Sequence, residues 1–282
     1  DPTPTESNET FTVESGAYFP GEFGDAATGV IKNPYGVDLL DIRVSTVAYS
    51  GGGEIIGGGF TYLDFILANG TSGVVVPVTK SGDVATVELY PTISGLTFLG
   101  REAELPDGAS GIAMRKSGFG QDGQEVGFGM LIENANVNYA IEDSLYHITA
   151  YAEDGRVLAT DAGYVHILLP GQTLGVGGTM YLVEGTYASR VDAQVVAGDF
   201  VESGTVPFFT WGDVTYRADE YFPQVAGQVA SPYDQDITDL RVSAVLYNDL
   251  GDIVGGGFTY LDFVPANGQA AVEVSVTSNG TP

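Results

Sequence analysis

DIRVSTVAYSGGGEIIGGGFTYLDFILANG, residues Asp41–Gly70, returns later in the chain as DLRVSAVLYNDLGDIVGGGFTYLDFVPANG, residues Asp239–Gly268. Widened to the stretches that begin at Gly29 and Gly227, more than half of the positions match without a gap, and GGGFTYLDF is identical in both. Self-similarity at this spacing marks a duplicated module. A diverged copy starting at Gly129 lies between the two. Its Asn134 falls where Asn33 falls, and its Tyr151 matches Tyr49 and Tyr247. Its turn AEDG (152–155) takes the place of SGGG (50–53) and NDLG (248–251). The copies are spaced by roughly the size of one small domain, about 100 residues. The spacing therefore predicts a Pro/Thr-rich tail over residues 1–10 and three modules over 11–98, 99–205 and 206–282.

Within a module the alternation has period two. Val44, Thr46 and Ala48 share one face of a strand, and Arg43, Ser45, Val47 and Tyr49 share the other. Val242, Ala244 and Leu246 repeat the inward set. On the following strand Leu63 and Phe65, with Leu261 and Phe263 or Val165 and Ile167 in the sister copies, are expected to face the core. Short Gly or Asp-Gly turns join the strands, which is hairpin chemistry. The GGG runs read as a bulge or a tight bend. No stretch carries sustained 3.6-residue periodicity with caps. Short strands with turn signals every 8–12 residues indicate an all-β chain of three tandem immunoglobulin-like β-sandwich modules. DVATVELYP (83–91) closes the first module and SRVDAQVV (189–196) the second, whereas the third stops at SNGTP (278–282). The third module is therefore expected to lack its closing strand, completed either by more chain or by a strand from another molecule.

The run VSAVLYNDLGDIV (242–254) resembles the FxLYD family of bacterial and archaeal extracellular modules. The pattern departs from the family where Asn248 follows Leu246-Tyr247 in place of Asp, and where Ala244, Thr46 or Ile148 stands at the Phe position. The resemblance implies a surface-exposed β-sandwich without catalysis, and it carries over no functional residues.

Composition narrows the partners. The formal charge is −27, and the only lysines are Lys32, Lys80 and Lys116. Such a surface repels nucleic acid and anionic lipid, so neither is expected as a partner, and no apolar run is long enough for membrane insertion as a bilayer span. There is no cysteine, so disulfides and thiolate metal sites are excluded. The charge suits a secreted, highly soluble or salt-adapted protein, or one that collects divalent cations. No Gly-x-Ser-x-Gly elbow, P-loop or dinucleotide fingerprint following a strand is present, and no acidic pair stands apart from the repeat pattern. No enzyme activity, cofactor or catalytic residue is expected.

His147 and His166 are the only histidines. Both read as polar residues on outward strand faces, and no third ligand has zinc spacing. Asp234, Asp236 and Asp239 offer hard oxygen ligands for calcium, but without EF-hand spacing they read as solvated acidic loops. The remaining glycines read as turn and bulge residues. Asn8, Asn69 and Asn279 head glycosylation sequons.

An aromatic band is the candidate functional surface. Phe60 and Tyr62 are expected to point outward near Tyr49, and Phe258 and Tyr260 near Tyr247. Such a band is either an ordinary cross-strand aromatic cluster or a docking surface for a neighbouring module or subunit. The reading is an extracellular structural protein, a subunit of a surface filament, sheath or layer or an adhesin stalk, whose partners are copies of itself or another surface protein. The alternative is a secreted array that binds carbohydrate or protein.

Overall fold

The computed structural model describes residues 10–21, 24–93, 105–219, 223–280 and 282. The described residues are all-β, with strands paired antiparallel in several sheets and no helix, and they form a tandem β-sandwich arrangement. The N-terminal tail up to residue 9, including Asn8, and the expected boundary at 98/99 lie outside the described residues.

The first repeat consists of β1 (Thr12–Phe19), β2 (Asp25–Lys32), β3 (Leu39–Tyr49), β4 (Ile55–Ile66), β5 (Thr71–Lys80) and β6 (Thr86–Ile93). The strands run in the order β1-β2-β5-β4-β3-β6. β5 pairs with β2 along its length but meets β4 only at Gly57↔Lys80 and Gly58↔Thr79. The ladder thus turns a corner there, and β1-β2-β5 and β4-β3-β6 enclose one core. The corner explains the triple glycine. A Cβ on Gly57 or Gly59 would overlap the carbonyl oxygens of Thr79 and Pro77 on β5. GGG therefore lies where the ladder bends and two strands cross closely, next to a register shift between Ala48 and Tyr49.

The second repeat contributes β7 (Ala113–Asp122), β8 (Glu125–Glu133), β9 (Tyr139–Tyr151), β10 (Val157–Leu168), β11 (Thr173–Tyr181), β12 (Arg190–Val196) and β13 (Asp199–Glu202). They form the sheets β11-β8-β7 and β10-β9-β12, with β13 also on β9. The third contributes β14 (Thr210–Arg217), β15 (Gln224–Ala230), β16 (Ile237–Tyr247), β17 (Ile253–Val264), β18 (Gln269–Ser275) and β19 (Thr277–Ser278), in sheets β14-β15-β18 and β16-β17-β19.

The repeat is written into the backbone. Gly53, Gly155 and Gly251 close the three hairpins with φ of 80, 84 and 79°, where L side chains are strained. Asp41, Asp143 and Asp239 are all left-handed, with φ of 54, 50 and 55°. Short polar side chains tolerate this conformation best among non-glycine residues. Each repeat also braces its second loop from a residue after the β2-type strand. The Asn33 amide donates to the carbonyls of Val37, Ile66 and Leu67, and Asn134 does the same to Tyr139, Leu168 and Leu169. These bonds, with Tyr35 N donating to Asn33 Oδ1, Asn136 N to Asn134 Oδ1 and Tyr233 N to Ser231 Oγ, fix the structural equivalence of Asn33, Asn134 and Ser231. On that equivalence Gly129 is not the counterpart of Gly29. Its site faces outward, whereas a Cβ at Gly29 would meet the core residue Leu89.

The cores differ in size. In the first repeat Val44, Ala48, Leu63, Ile66, Val76 and Leu89 are among the buried residues, with Val87 of β6 packed beside them. The core cluster of the third repeat comprises Val242, Ala244, Leu246, Val272, Val274 and Val276. Among the described residues no strand lies on the open edge of β16, the position that β6 takes beside β3 and β12 beside β9. Phe263, expected in the core like Phe65, is half exposed, and so is Ile167.

The chain divides into two compact units, one comprising the described residues of 1–104 with 151–160, the other 105–150 with 161–282. In the first, Tyr151 and Val157 pack with Val30 and Val75 into a small apolar cluster, and the Arg156 guanidinium lies over the Phe19 ring at 5.5 Å. Tyr151 is therefore buried, unlike its counterparts Tyr49 and Tyr247. The second unit holds most of the second repeat together with the whole described third repeat.

Candidate assembly surface

The outer face of β3 and β4 recurs on β16 and β17, and the two copies have different surroundings. In both, the guanidinium of an arginine lies 4.5 Å over a phenylalanine ring: Arg43 over Phe60 and Arg241 over Phe258. In both, that ring meets a tyrosine edge-on, Phe60–Tyr62 at 5.9 Å and Phe258–Tyr260 at 5.8 Å. These four aromatics are exposed, as expected. Tyr49 is partly buried and donates to Glu88 Oε2 at 3.0 Å, an oxygen that also accepts from Tyr90. Tyr247 is partly exposed.

The residues that distinguish the two faces are not aromatic. Ile55 is 70% exposed, while its counterpart Ile253 is 5% exposed. Gly255, Gly256 and Gly257 are buried, while Gly57, Gly58 and Gly59 are only partly so. The cause is the sheet β11-β8-β7 lying on β16 and β17. Its outer side is lined by glycine. Gly118, Gly129 and Gly177 stand side by side across the three strands, and Gly120 stands beside Gly127. A Cβ on Gly127 would come closer than 3.0 Å to Thr277 O and Gly256 O, and one on Gly177 would come equally close to Ala244 O and Gly257 O. The backbones of the two sheets thus approach where side chains normally separate them by about 10 Å. Ile253 fills the space over Gly118 and Gly129, and Val245 reaches Gly129 and Gly175.

Polar contacts surround this apolar centre. Arg241 Nη2 donates to Gly177 O at 2.9 Å. Lys116 Nζ donates to Gly251 O at 2.6 Å and pairs with Asp252 at 3.0 Å. The Thr277 hydroxyl donates to Glu125 at 2.7 Å. Arg241 also reaches the Tyr146 hydroxyl at 3.4 Å, which lies 3.5 Å from Asp161. Burial raises the Asp161 carboxyl above its usual range, against the opposing pull of the Arg241 charge and the Tyr146 hydroxyl. Burial also raises the Tyr146 phenol.

Six glycines that read as turn and bulge residues are therefore interior strand residues of a packing face. The available signal was their spacing of two, Gly118/Gly120, Gly127/Gly129 and Gly175/Gly177, three times within one repeat.

The other candidate residues do not converge. His147 keeps the outward register of Ser45 but is buried, on a strand hydrogen-bonded along both edges. His166 is exposed, stacked on Tyr164 at 6.3 Å and 3.5 Å from Asp143. Among the described residues no three His, Cys, Asp or Glu side chains gather to hold a metal. Asp236 accepts from Ala266 N at 2.9 Å, as Asp38 accepts from Ala68 N at 2.7 Å, so both brace a loop. Asp239 is one of the left-handed residues and Asp234 is exposed. Asn69 and Asn279 are exposed.

No family model matches the chain, and no curated protein matches it. Among solved structures it is similar to a calcium-binding mutant of Bacteroides uniformis β-glucuronidase 2, with 12% identity and a TM-score of 0.18. The match covers 84% of this chain and 26% of that one.

Proposed function

We propose that the protein is an extracellular structural protein, a subunit of a cell-surface filament, sheath or layer whose β-sandwich repeats are its assembly elements. The observation that carries this reading is the sheet-on-sheet packing in the second unit. One repeat is joined to the next through backbone contact over a glycine-lined face, and the same docking face is repeated, uncovered, in the first repeat. The acidic surface keeps such a chain soluble before assembly. Electron microscopy of the native material, with sedimentation of the purified chain over a range of concentrations, tests the reading. Repeating polymers and a sedimentation coefficient that grows with concentration are expected. A chain that stays monomeric at every concentration, from a source without polymers, would overturn it.

A further inference from the structure

We infer that the third repeat is a receptor for one extended segment of a partner protein, which enters a slot between β14 and β16 and completes the sandwich as β6 completes the first repeat. The inference concerns the inner side of that repeat and holds whether or not the chain polymerises.

In the first repeat β6 is hydrogen-bonded to β3, and its Leu89 reaches across to β1 and β2. A Cβ on Gly29 would lie 2.7 Å from Leu89 Cδ1, and one on Gly16 would lie 4.0 Å from it. β14 is the counterpart of β1. Each carries a left-handed residue at its register shift, Ser15 with φ of 54° and Asp213 with φ of 53°. Trp211 therefore stands where Val13 stands, paired with the fully buried Val229 as Val13 is paired with the fully buried Ile31. Val214 stands where Gly16 stands. Both side chains lie on the inner face of the sheet. Val214 Cγ2 is 3.4 Å from the place of a Cβ on Gly227, which pairs with the core residue Val272. Yet Trp211 is 51% exposed and Val214 61%. Among the described residues no strand lies on the free edge of β16 to cover them. Large apolar groups that face inward but meet solvent mark a binding groove.

The width of the slot decides what fits. β14 overhangs the open edge of β16 as β1 overhangs β3 to meet β6. The edge of a second sandwich brought to β16 would drive its own facing layer into β14. A lone extended segment is one strand wide and passes beneath. Among the described residues every strand of this chain is already paired in a sheet, so the segment comes from a different protein. It runs antiparallel to β16, as β6 runs to β3, with uncharged aliphatic side chains at the two inward places of Val87 and Leu89. The ladder supplies affinity and the alternate side chains supply selectivity.

The chain has one tryptophan, so Trp211 reports on the slot directly. The probe is a synthetic peptide of residues 83–93, titrated into the full-length chain and read by tryptophan emission and acrylamide quenching. Without peptide, Trp211 should be quenched readily at every chain concentration. With peptide, its emission should move to shorter wavelength and quenching should fall. Val214→Asp places a charge in the slot at an exposed position and should weaken peptide binding about tenfold, a loss typical of a central interface residue. Val137→Asp, at a position 78% exposed in the second repeat, should leave binding unchanged. Trp211→Ala, read by the peptide's effect on the melting temperature, should weaken binding similarly and serves as the second slot variant. Unchanged emission with peptide, or equal binding by the slot variants and Val137→Asp, would overturn the inference. Emission that shifts with the chain's own concentration would make the occupant a second copy. A tryptophan shielded at every concentration without peptide would mean that the chain fills the slot itself. Either result overturns the assignment to a partner.

Discussion

Arg241 donates to the carbonyl oxygen of Gly177 at 2.9 Å, and can do so only because Gly177 carries no side chain to hold the two sheets apart. Its counterpart Arg43 has the same ring beneath it and lies on a bare face. Arg241→Ala should therefore lower the unfolding free energy by about 2 kcal/mol, the scale of a hydrogen bond to a charged group. Arg43→Ala removes an exposed cation–π contact worth less than about 1 kcal/mol. Urea unfolding of both variants reads the difference, and equal losses would mean that the joint contributes nothing through Arg241.

The glycine-lined face predicts a sharp asymmetry among glycines. Gly177→Ala drives a methyl into two carbonyl oxygens and should cost about 1–3 kcal/mol, as overpacking does elsewhere. Gly51→Ala, with nothing within 4 Å of the added carbon, should change stability by less than about 0.5 kcal/mol. The two melting curves, measured side by side, check this.

Asp161 gives a pH signature. Burial raises its carboxyl above the ordinary 3.8. A raised native pKa means that the folded chain binds the proton more tightly than the unfolded chain. Stability from this group is then highest below 3.8 and falls as pH rises through the native value. Asp161→Asn should raise the melting temperature at pH 7, and the gain should shrink as the pH falls toward 3.8. A gain that does not vary with pH would trace it to packing instead.

The strands and hairpins of each repeat were legible because alternation and turn residues are local properties. Val44, Thr46 and Ala48 pointed inward as their period dictates, and Gly53 and Gly251 turned the chain where they stand. What alternation does not reveal is what lies beyond a strand's outer face. His147 shares its outward register with Ser45 yet is buried. Phe263 shares the register of Phe65 yet is half exposed. The joint between the second and third repeats was illegible for a further reason. Its principal residues are glycines, which have no hydrophobic signal, and their role arises only when two backbones meet.

The open edge of β16 yields the last prediction. β3 is paired by β4 on one side and β6 on the other, from Ile42↔Ile93 to Tyr49↔Thr86. β16 is paired by β17 alone among the described residues. β6 also carries Leu89 into the first core, with Val87 packed beside it. Among the described residues the third core has no such pair beside Val242, Ala244 and Leu246. A strand laid on β16 would satisfy its free edge and bury apolar area together, the energetics of strand addition. β16 repeats the inward pattern of β3, so the β6 sequence is a matched donor. A synthetic peptide of residues 83–93, DVATVELYPTI, added to the intact chain should raise the melting temperature saturably. The same peptide with Leu89→Asp should not, since the ladder alone leaves the core uncovered. No shift with the native peptide, or an equal shift with both, would show that the β16 edge is not a receptor for a closing strand.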